Sequence, residues 1–370
     1  MSIKAVRFAR DNKDDFSKVL RTRVMDYFKE NKISKHANAT MVFKTIFMIA
    51  LYFAPFVLVI TEVVSGVGGI LGMYAIMGLG LAGIGLSIMH DANHGAYSKH
   101  EKVNDTIGRI LNVVGGFAYN WKVQHNVLHH TFTNVEGYDE DIAPGNILRF
   151  SPHAKRLKHH KYQHYYAWFF YGLMTFLWIT VKDFNQLKRY KKKDLIDKTK
   201  YSYGGLLATL IAWKIFYYAY IIALPIIVLD EPFWVFPLGV FICHFISGII
   251  LAMIFQPAHV VPHTDFPLPE EPGNNIDNMF MKHQLETTAN FAPKAKLFSW
   301  YVGGLNYQVE HHLFPNICHV HYPKLAKIVK ATAEEYGIPY HSFPTFRKAI
   351  IEHTKMLKQL GTQDEYVKAA

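Results

Sequence analysis

Cysteine is nearly absent from this sequence of 370 residues, which contains only Cys243 and Cys318. Cys243 lies inside a long apolar stretch and Cys318 in a polar region, so a structural disulfide is not expected. The N-terminal residues are charged and polar and lack the apolar core of a signal peptide, so no cleaved targeting segment is expected either. Neither secretion nor a disulfide scaffold is therefore indicated.

Charged residues are also scarce. They make up 19% of the sequence, against 50% hydrophobic and 15% aromatic residues, which is too apolar for an ordinary soluble domain. Apolar stretches reach the roughly 20 residues needed to cross a bilayer at 41–60, 67–89, 206–229 and 233–255. The sequence predicts an all-α integral membrane protein with four transmembrane helices in two hairpins.

Basic residues are missing from the short links after the first and third apolar stretches, which carry only Glu62, Asp230 and Glu231. All Lys and Arg residues except Lys214 lie in 1–44, 99–200 and 282–368. The positive-inside rule then places both termini and the central loop in the cytoplasm, in a bacterial inner membrane or the endoplasmic reticulum. This distribution, together with binding to lipid headgroups of the bilayer, accounts for the net charge of +11 without nucleic acid.

One further apolar segment, residues 165–181, raises a question of topology. If it crossed the membrane, the Lys-rich stretch 182–200 would lie outside and the C-terminal histidines would face the opposite side from those near residue 90. We therefore interpret the segment as an interfacial or re-entrant helix. The cytoplasmic regions are expected to form a helical cap.

Histidine is abundant, with 21 residues, and three groups of them have the spacing of metal ligands. His90 and His94 form "HDANH" after the second apolar stretch, and neighbours at i and i+4 share a helix face. His125, His129 and His130 form "HNVLHH", in which the first two pair in the same way and His130 turns by about 100° towards a second ion. The third group, "QVEHH", contains Gln308, His311 and His312.

A single pair of this kind is often structural, but three groups on one face of a membrane favour a metal site. Imidazole ligands suit iron, copper or zinc, and seven histidines exceed the needs of one ion, so the sequence predicts two. His259 in "FQPAH" is an eighth candidate, since it follows the fourth apolar stretch. For the remaining candidates we favour structural roles; they are His100, His263, His283 and His319.

These motifs, with "HQLETTANFAP" and "GGLNYQVEHHLFPNICHVHYPKL", resemble the membrane fatty-acid desaturase family over residues 40–345. Gln308, where many relatives have His, is similar to front-end desaturases of the delta-5 and delta-6 type and to linoleoyl-CoA desaturase-like proteins. The resemblance implies a desaturase domain at 41–345 between an N-terminal arm, 1–40, and a C-terminal tail, 346–370. It implies a cap holding a His-rich di-metal site.

The resemblance also implies the chemistry: two Fe ions, O₂ as co-substrate, and insertion of a cis double bond into a fatty acyl-CoA or acyl-lipid. Asp91, Asn93 and Glu310 are candidates to orient the ligand imidazoles, and Gln308 is a candidate weak ligand. Exposed polar residues at such positions are equally common without any role in orienting metal ligands. A di-iron membrane hydroxylase remains an alternative, as does a membrane protein that binds metal without catalysis.

Two departures from the family pattern bear on these expectations. The "HPGG" haem motif of a fused cytochrome b5 domain is absent, which implies a separate electron donor of the cytochrome b5 or ferredoxin type with its reductase. Phe255 stands where stearoyl-type relatives place an Asn four residues before the His that matches His259. Gln256 or a water molecule is a candidate to replace that Asn.

Overall fold

A computed structural model describes residues 7–8, 15–269, 275–276 and 279–363. Four of its helices are long and apolar enough to cross a membrane, which confirms the predicted fold class. Their ends lie within four residues of the predicted bounds. These helices are α2 (Ala39–Ile60), α3 (Val67–Asn93), α9 (Tyr203–Val228) and α10 (Val235–His259).

The second of these helices extends past its apolar run, so that His90 belongs to the helix itself. A π-helical turn, Ile84–Ile88, precedes this last segment of α3. Such turns widen the helix locally and are frequent at functional sites. The first histidine pair is thus carried at the end of a membrane-spanning helix.

The remaining α-helices are shorter. They are α1 (Asp15–Glu30), α4 (Glu101–Gly108), α5 (Ile110–Val113), α6 (Ala118–Trp121), α7 (Gln163–Leu177), α8 (Asp183–Lys192), α11 (Phe280–Glu286), α12 (Lys296–Tyr301), α13 (Gln308–Leu313), α14 (Tyr322–Glu335) and α15 (Phe346–Thr362). Two parallel strand pairs accompany them: β1 (Arg7–Phe8) with β2 (Asn275–Ile276), and β3 (Ala289–Phe291) with β4 (His341–Phe343).

Helix α7 contains most of the segment that we interpret as interfacial. It packs against α10, and the two backbones meet where a Cβ on Gly248 would lie 2.6 Å from the carbonyl oxygen of Gly172. Thr175 also donates a hydrogen bond to the carbonyl oxygen of His244, at 2.6 Å. Helix α7 is not among the four candidate spans found in the described residues, and its interfacial placement stays a prediction.

Apart from strand β1, the predicted arm and tail each contribute a packed helix to the described residues. In α1, Leu20 and Val24 are fully buried in one cluster with Leu325 and Val329 of α14. In α15, Met356 and other apolar residues pack in a cluster with α7 and α10. Both helices therefore belong to the helical cap, because each buries an apolar stripe against it. Residues 364–370 of the predicted tail lie outside the described residues.

The third histidine group is brought to the first by a tight glycine turn. Gly303 has φ +64°, and a Cβ at this position would lie 2.3 Å from the carbonyl oxygen of Leu86. Only glycine tolerates both the positive φ and this approach. The chain leading to α13 therefore rests directly on the π-helical turn of α3.

Candidate metal centre

Four separate segments carry the predicted ligands to one place. These segments are the end of α3, the π-helical segment after α6, the last residue of α10 and helix α13. All of the predicted histidine ligands fall into overlapping groups whose ligand atoms lie within 4.8 Å of one another. They are His90, His94, His125, His129, His130, His259, His311 and His312.

The first group contains His90, His94, His125 and His311. The Nε2 atoms of His90 and His125 are 3.1 Å apart. Two ligand nitrogens at right angles on one ion, with bonds of about 2.1 Å, would be about 3.0 Å apart. The imidazoles therefore already stand at the spacing of ligands around an ion.

His130 joins this first group, because its Nε2 lies 3.2 Å from that of His125 and 2.9 Å from that of His311. The sequence had predicted the pairing of His125 with His129, at i and i+4. The segment Lys122–His129 is instead a π-helix, and the N–H of His130 donates to the carbonyl oxygen of His125 at i−5. In a π-helix residues at i and i+5 share a face, so His130 comes beside His125. His129 stays close to His125, in a group with Asp141, and also belongs to the second group.

The second group contains His129, His259 and His312. In each of these rings Nε2 is buried and has no hydrogen-bond partner among the described residues. Unpaired buried polar atoms are costly, so three of them converging on one point fit a bound cation. His130, His311 and His312 form a further group that links the two.

The opposite nitrogen of each ring in the second group has a polar partner. His129 Nδ1 lies 3.1 Å from Asp139 Oδ2, His312 Nδ1 lies 2.9 Å from Gln284 Oε1, and His259 Nδ1 lies 3.2 Å from the carbonyl oxygen of Thr287. Each partner accepts a hydrogen bond from Nδ1–H, an arrangement that directs the Nε2 lone pair to a bound metal. The donor set therefore fits two ions.

The protonation of these rings follows from their burial and their neighbours. Burial, and then repulsion from neighbouring histidines, holds the pKa of His125, His130, His311 and His312 well below the ordinary value. Neutral imidazole is the form that binds metal. Burial also acts to lower the pKa of His129, but Asp139 and Asp141 outweigh it and raise this pKa to about 9.

The residues predicted to orient the ligands have other partners. The Asp91 carboxylate accepts from the backbone N–H of His319 and lies 2.9 Å from its Nδ1. Asn93 donates to the carbonyl oxygen of Gly108, at 3.4 Å. Glu310 accepts from Asn290 and Tyr340. Among the described residues, no hydrogen bond joins a candidate ligand imidazole to the side chain of any of these three residues.

Sequence reasoning missed the groups that do hold the rings. These groups lie outside the three histidine boxes: Asp139 comes 10 residues after His129, and Gln284 and Thr287 lie 28 residues from the rings they contact. The only available signal for Gln284 and Thr287 was their place in the motif "HQLETTANFAP". Gln308 is fully buried and its amide has no hydrogen-bond partner among the described residues. Its role as a weak ligand stays a prediction.

The other histidines considered from sequence lie outside these groups. His319 lies between Asp91 and the buried ammonium of Lys44, whose Nζ is 2.7 Å from His319 Nε2. That ammonium makes the Asp91–Cys318–His319 cluster unsuited to a cation. His100 is exposed, and His283 is buried away from the grouped ligands.

An apolar cavity begins at the metal centre. His125, His129 and His259 line one part of it together with Phe255, whose ring centroid is 5.9 Å from that of His125. The cavity continues between α3 and α10, with Leu81 and Leu251 in its wall. Gln256 also lines it. A long apolar chain lying in this cavity would pass the candidate ligands.

Comparison with known proteins points to one family. The family described as fatty acid desaturase matches residues 65–344. The sn-1 linoleoyl-lipid 6-desaturase of Synechocystis sp. is 33% identical to this chain, over 96% of this chain and 98% of the relative. The enzyme of the same name from Arthrospira platensis is 35% identical, over 95% and 94% respectively. An acyl-lipid (8-3)-desaturase of Physcomitrium patens is 34% identical, over 96% of this chain and 74% of the relative.

Proposed function

Because this chain belongs to the fatty acid desaturase family and is a desaturase rather than a hydroxylase, we propose that it is a front-end enzyme. It inserts a cis double bond on the carboxyl side of an existing one, at the delta-6 or delta-5 position of a lipid-linked acyl chain. The observation that carries the proposal is the apolar cavity that begins at the grouped histidines. The names of the two cyanobacterial relatives, which match nearly end to end, support the regiochemistry and the lipid-linked substrate.

The proposed cofactors are two iron ions. His90, His94, His125, His130 and His311 hold one, and His129, His259 and His312 hold the other. Bound iron supplies the O₂ chemistry that an unactivated CH₂ group requires. The histidine-rich donor set is compatible with iron, and its hydrogen-bond partners fix the ring orientations.

The protein itself positions the substrate. The cavity wall is mostly apolar, and it excludes water from the part of the chain that reacts. Phe255 lies beside the rings of His90 and His125, with centroids 6.3 and 5.9 Å away. It holds the chain against the first histidine group, so that one carbon pair faces the centre.

The proposed orientation places the metal centre, both termini and the cap in the cytoplasm. The distribution of Lys and Arg supports it. The proposed electron donor is a separate carrier of the cytochrome b5 or ferredoxin type with its reductase. A reporter fused after Lys193 is expected to read as cytoplasmic, and the opposite result would contradict this topology.

The regiochemistry is tested by expressing the chain in a host supplied with linoleate and an electron donor, and by mapping double bonds by mass spectrometry. We expect a new bond on the carboxyl side of the existing ones. New bonds only at delta-9 of saturated chains, or only on the methyl side, would contradict the front-end assignment. The matched control is His100→Ala, which removes an exposed histidine outside the ligand groups and should keep wild-type activity.

The iron stoichiometry is tested separately. Metal analysis of the detergent-solubilised protein should give about two irons per chain. A reproducible value near one in active protein, or zinc alone, would overturn the di-iron proposal and leave the family membership unaffected.

A further inference from the structure

One end of the cavity is polar and partly exposed. Gln124, Asp141 and Lys182 line this end, and each of their side chains is half-buried. By contrast, Ile84 and Ser247, which line the part of the cavity between α3 and α10, are fully buried. The cavity therefore meets the surface at its polar end.

The polar end adjoins the second histidine group. Asp141 Oδ2 lies 3.4 Å from His129 Nδ1, and Gln124 donates a hydrogen bond to Asp141. Lys182 interacts electrostatically with the same carboxylate. An ion bound to His129 Nε2 would lie about 2.1 Å from that nitrogen, on the far side of the ring, so the polar end begins on the order of 7 Å from the ion position.

Lys182 has hydrogen-bond donors to spare at this end. The Gln124 amide is engaged at both atoms, since it donates to Asp141 and accepts from Gln186, at 2.5 Å. The Lys182 ammonium makes no hydrogen bond or ion pair with any described residue. It lies 5.4 Å from the centroid of the Trp178 ring, which is within the range of a cation–π contact. Its N–H groups are therefore available to a ligand in the cavity.

The local structure fixes the position of this ammonium. Lys182 and Trp178 both belong to a π-helical turn, Trp178–Lys182, that joins α7 to α8, and such turns are frequent at functional sites. The Trp178 ring is held in place because its Nε1 donates to Asp183 Oδ1, at 3.0 Å. Trp and Lys side chains are typical of the level of lipid headgroups. At that level the ester groups of the lipids are within reach.

The spacing matches the carboxyl end of a front-end substrate. Carbon 6 of an acyl chain is five bonds from the ester carbon, and at about 1.5 Å per bond the two lie about 6–7 Å apart in an extended chain. The polar end begins at about the same distance from the ion position. An ester carbonyl oxygen accepts hydrogen bonds, and a bond from an ammonium is stronger than one from a neutral donor.

We propose that Lys182 binds the ester carbonyl of the acyl lipid and thereby sets the position of the new double bond relative to the carboxyl end. This inference rests on the proposed front-end function. Lys182 touches the substrate but not the reacting carbons, so it determines specificity rather than chemistry. An apolar wall alone lets an acyl chain slide, whereas one polar anchor fixes which carbon pair faces the centre.

The first test removes the anchor. Lys182→Met eliminates the ammonium and keeps the length of the side chain. We expect the KM of a linoleoyl lipid to rise about five- to tenfold, and new double bonds to appear also at carbons next to the main position. Lys182→Arg keeps a cationic donor and should return the KM to within about threefold of wild type, with a single product. Kinetics and mapping of double bonds by mass spectrometry give these results.

The second test identifies the acceptor atom. It compares the inhibition constants, Ki, of a stearoyl ester lipid and of the stearyl ether lipid with the same headgroup, which lacks the carbonyl oxygen. In the wild type the ether should bind about five- to tenfold more weakly than the ester. In Lys182→Met the two should bind equally. Equal Ki values in the wild type would place the contact elsewhere on the lipid and overturn the proposal.

The matched control is Lys188→Met. Lys188 is an exposed lysine of α8 that does not line the cavity, so this variant loses the same charge without losing the anchor. It should keep the KM, the product and the ratio of Ki values of the wild type. A normal iron content verifies that each variant is assembled, and Lys182→Ala replaces Lys182→Met if the latter is not.

An unchanged KM and a single product in the assembled Lys182 variant would overturn the anchor. So would an equal rise of KM in Lys188→Met, because the effect would then arise from surface charge. Failure of the proposed function is distinguishable, since it shows in the wild type as a double bond placed elsewhere. A wild type with front-end products and a Lys182 variant that behaves like it would remove only this inference.

Discussion

The two histidine groups differ in what holds their rings in place. In the second group every ring has its Nδ1 fixed by a partner outside the histidine boxes, namely Asp139, Gln284 or Thr287. In the first group His130 Nδ1 has no partner among the described residues, and His311 Nδ1 has a long contact of 3.3 Å with the Tyr322 hydroxyl. The first group is aligned chiefly by its helices and the second by hydrogen bonds.

The groups also differ in the number of their histidines and in the exposure of those side chains. The first has four histidines together with His130, whereas the second has three. His94 is the one of the eight candidate ligands that is not buried. We infer that the first group keeps its ion more readily after the loss of one ligand than the second group does. In the second group, hydrogen bonds to the rings compensate for the smaller number of histidines.

Removal of a ligand should have the largest effect. We expect His129→Ala to lose activity by more than about a hundredfold and to retain about one iron per chain, because only two histidines of its group remain. His94→Ala should lose activity as strongly but keep about two irons. Iron analysis and product assays check both variants. Equal iron loss in the two would show that the groups do not differ in how firmly they hold iron.

Changing an outer partner of the second group should have an intermediate effect. Asp139→Asn removes the charge that orients His129, and we expect activity or iron affinity to fall about 10- to 100-fold. The matched control is Glu140→Gln, since the Glu140 carboxylate bonds Arg189 rather than a ligand. Similar losses in both variants would show that the effect is not specific to the His129 contact.

The smallest effect is expected from the outer partner of the first group. The contact between His311 Nδ1 and Tyr322 is at the long limit for a hydrogen bond. Tyr322→Phe should therefore change the rate of product formation by less than about threefold. A loss as large as that of Asp139→Asn would mean that both groups depend equally on their hydrogen bonds.

The candidate site shows which features a local sequence pattern can predict and which it cannot. The apolar stretches predicted the four long helices, because chain length and hydropathy are read directly from neighbouring residues. His125 and His129 do lie together, in a group with Asp141, but the α-helical period did not predict that His130 Nε2 also approaches His125, because the segment forms a π-helix. The predicted orienting residue Asp91 bonds His319 instead, since proximity in sequence does not place a side chain beside the neighbouring imidazole.

The sequence by itself determined the membrane-spanning helices, the family and the eight candidate ligands, because each depends on residue type and short spacing. Only the tertiary structure decided which imidazoles lie together, which groups outside the histidine boxes contact Nδ1 of His129, His259 and His312, and which polar side chains line the cavity. Some of those relations join residues more than a hundred positions apart, such as His130 and His311, and others join residues 10 to 28 positions apart. They depend on the packing of helices, which no local pattern in the chain encodes.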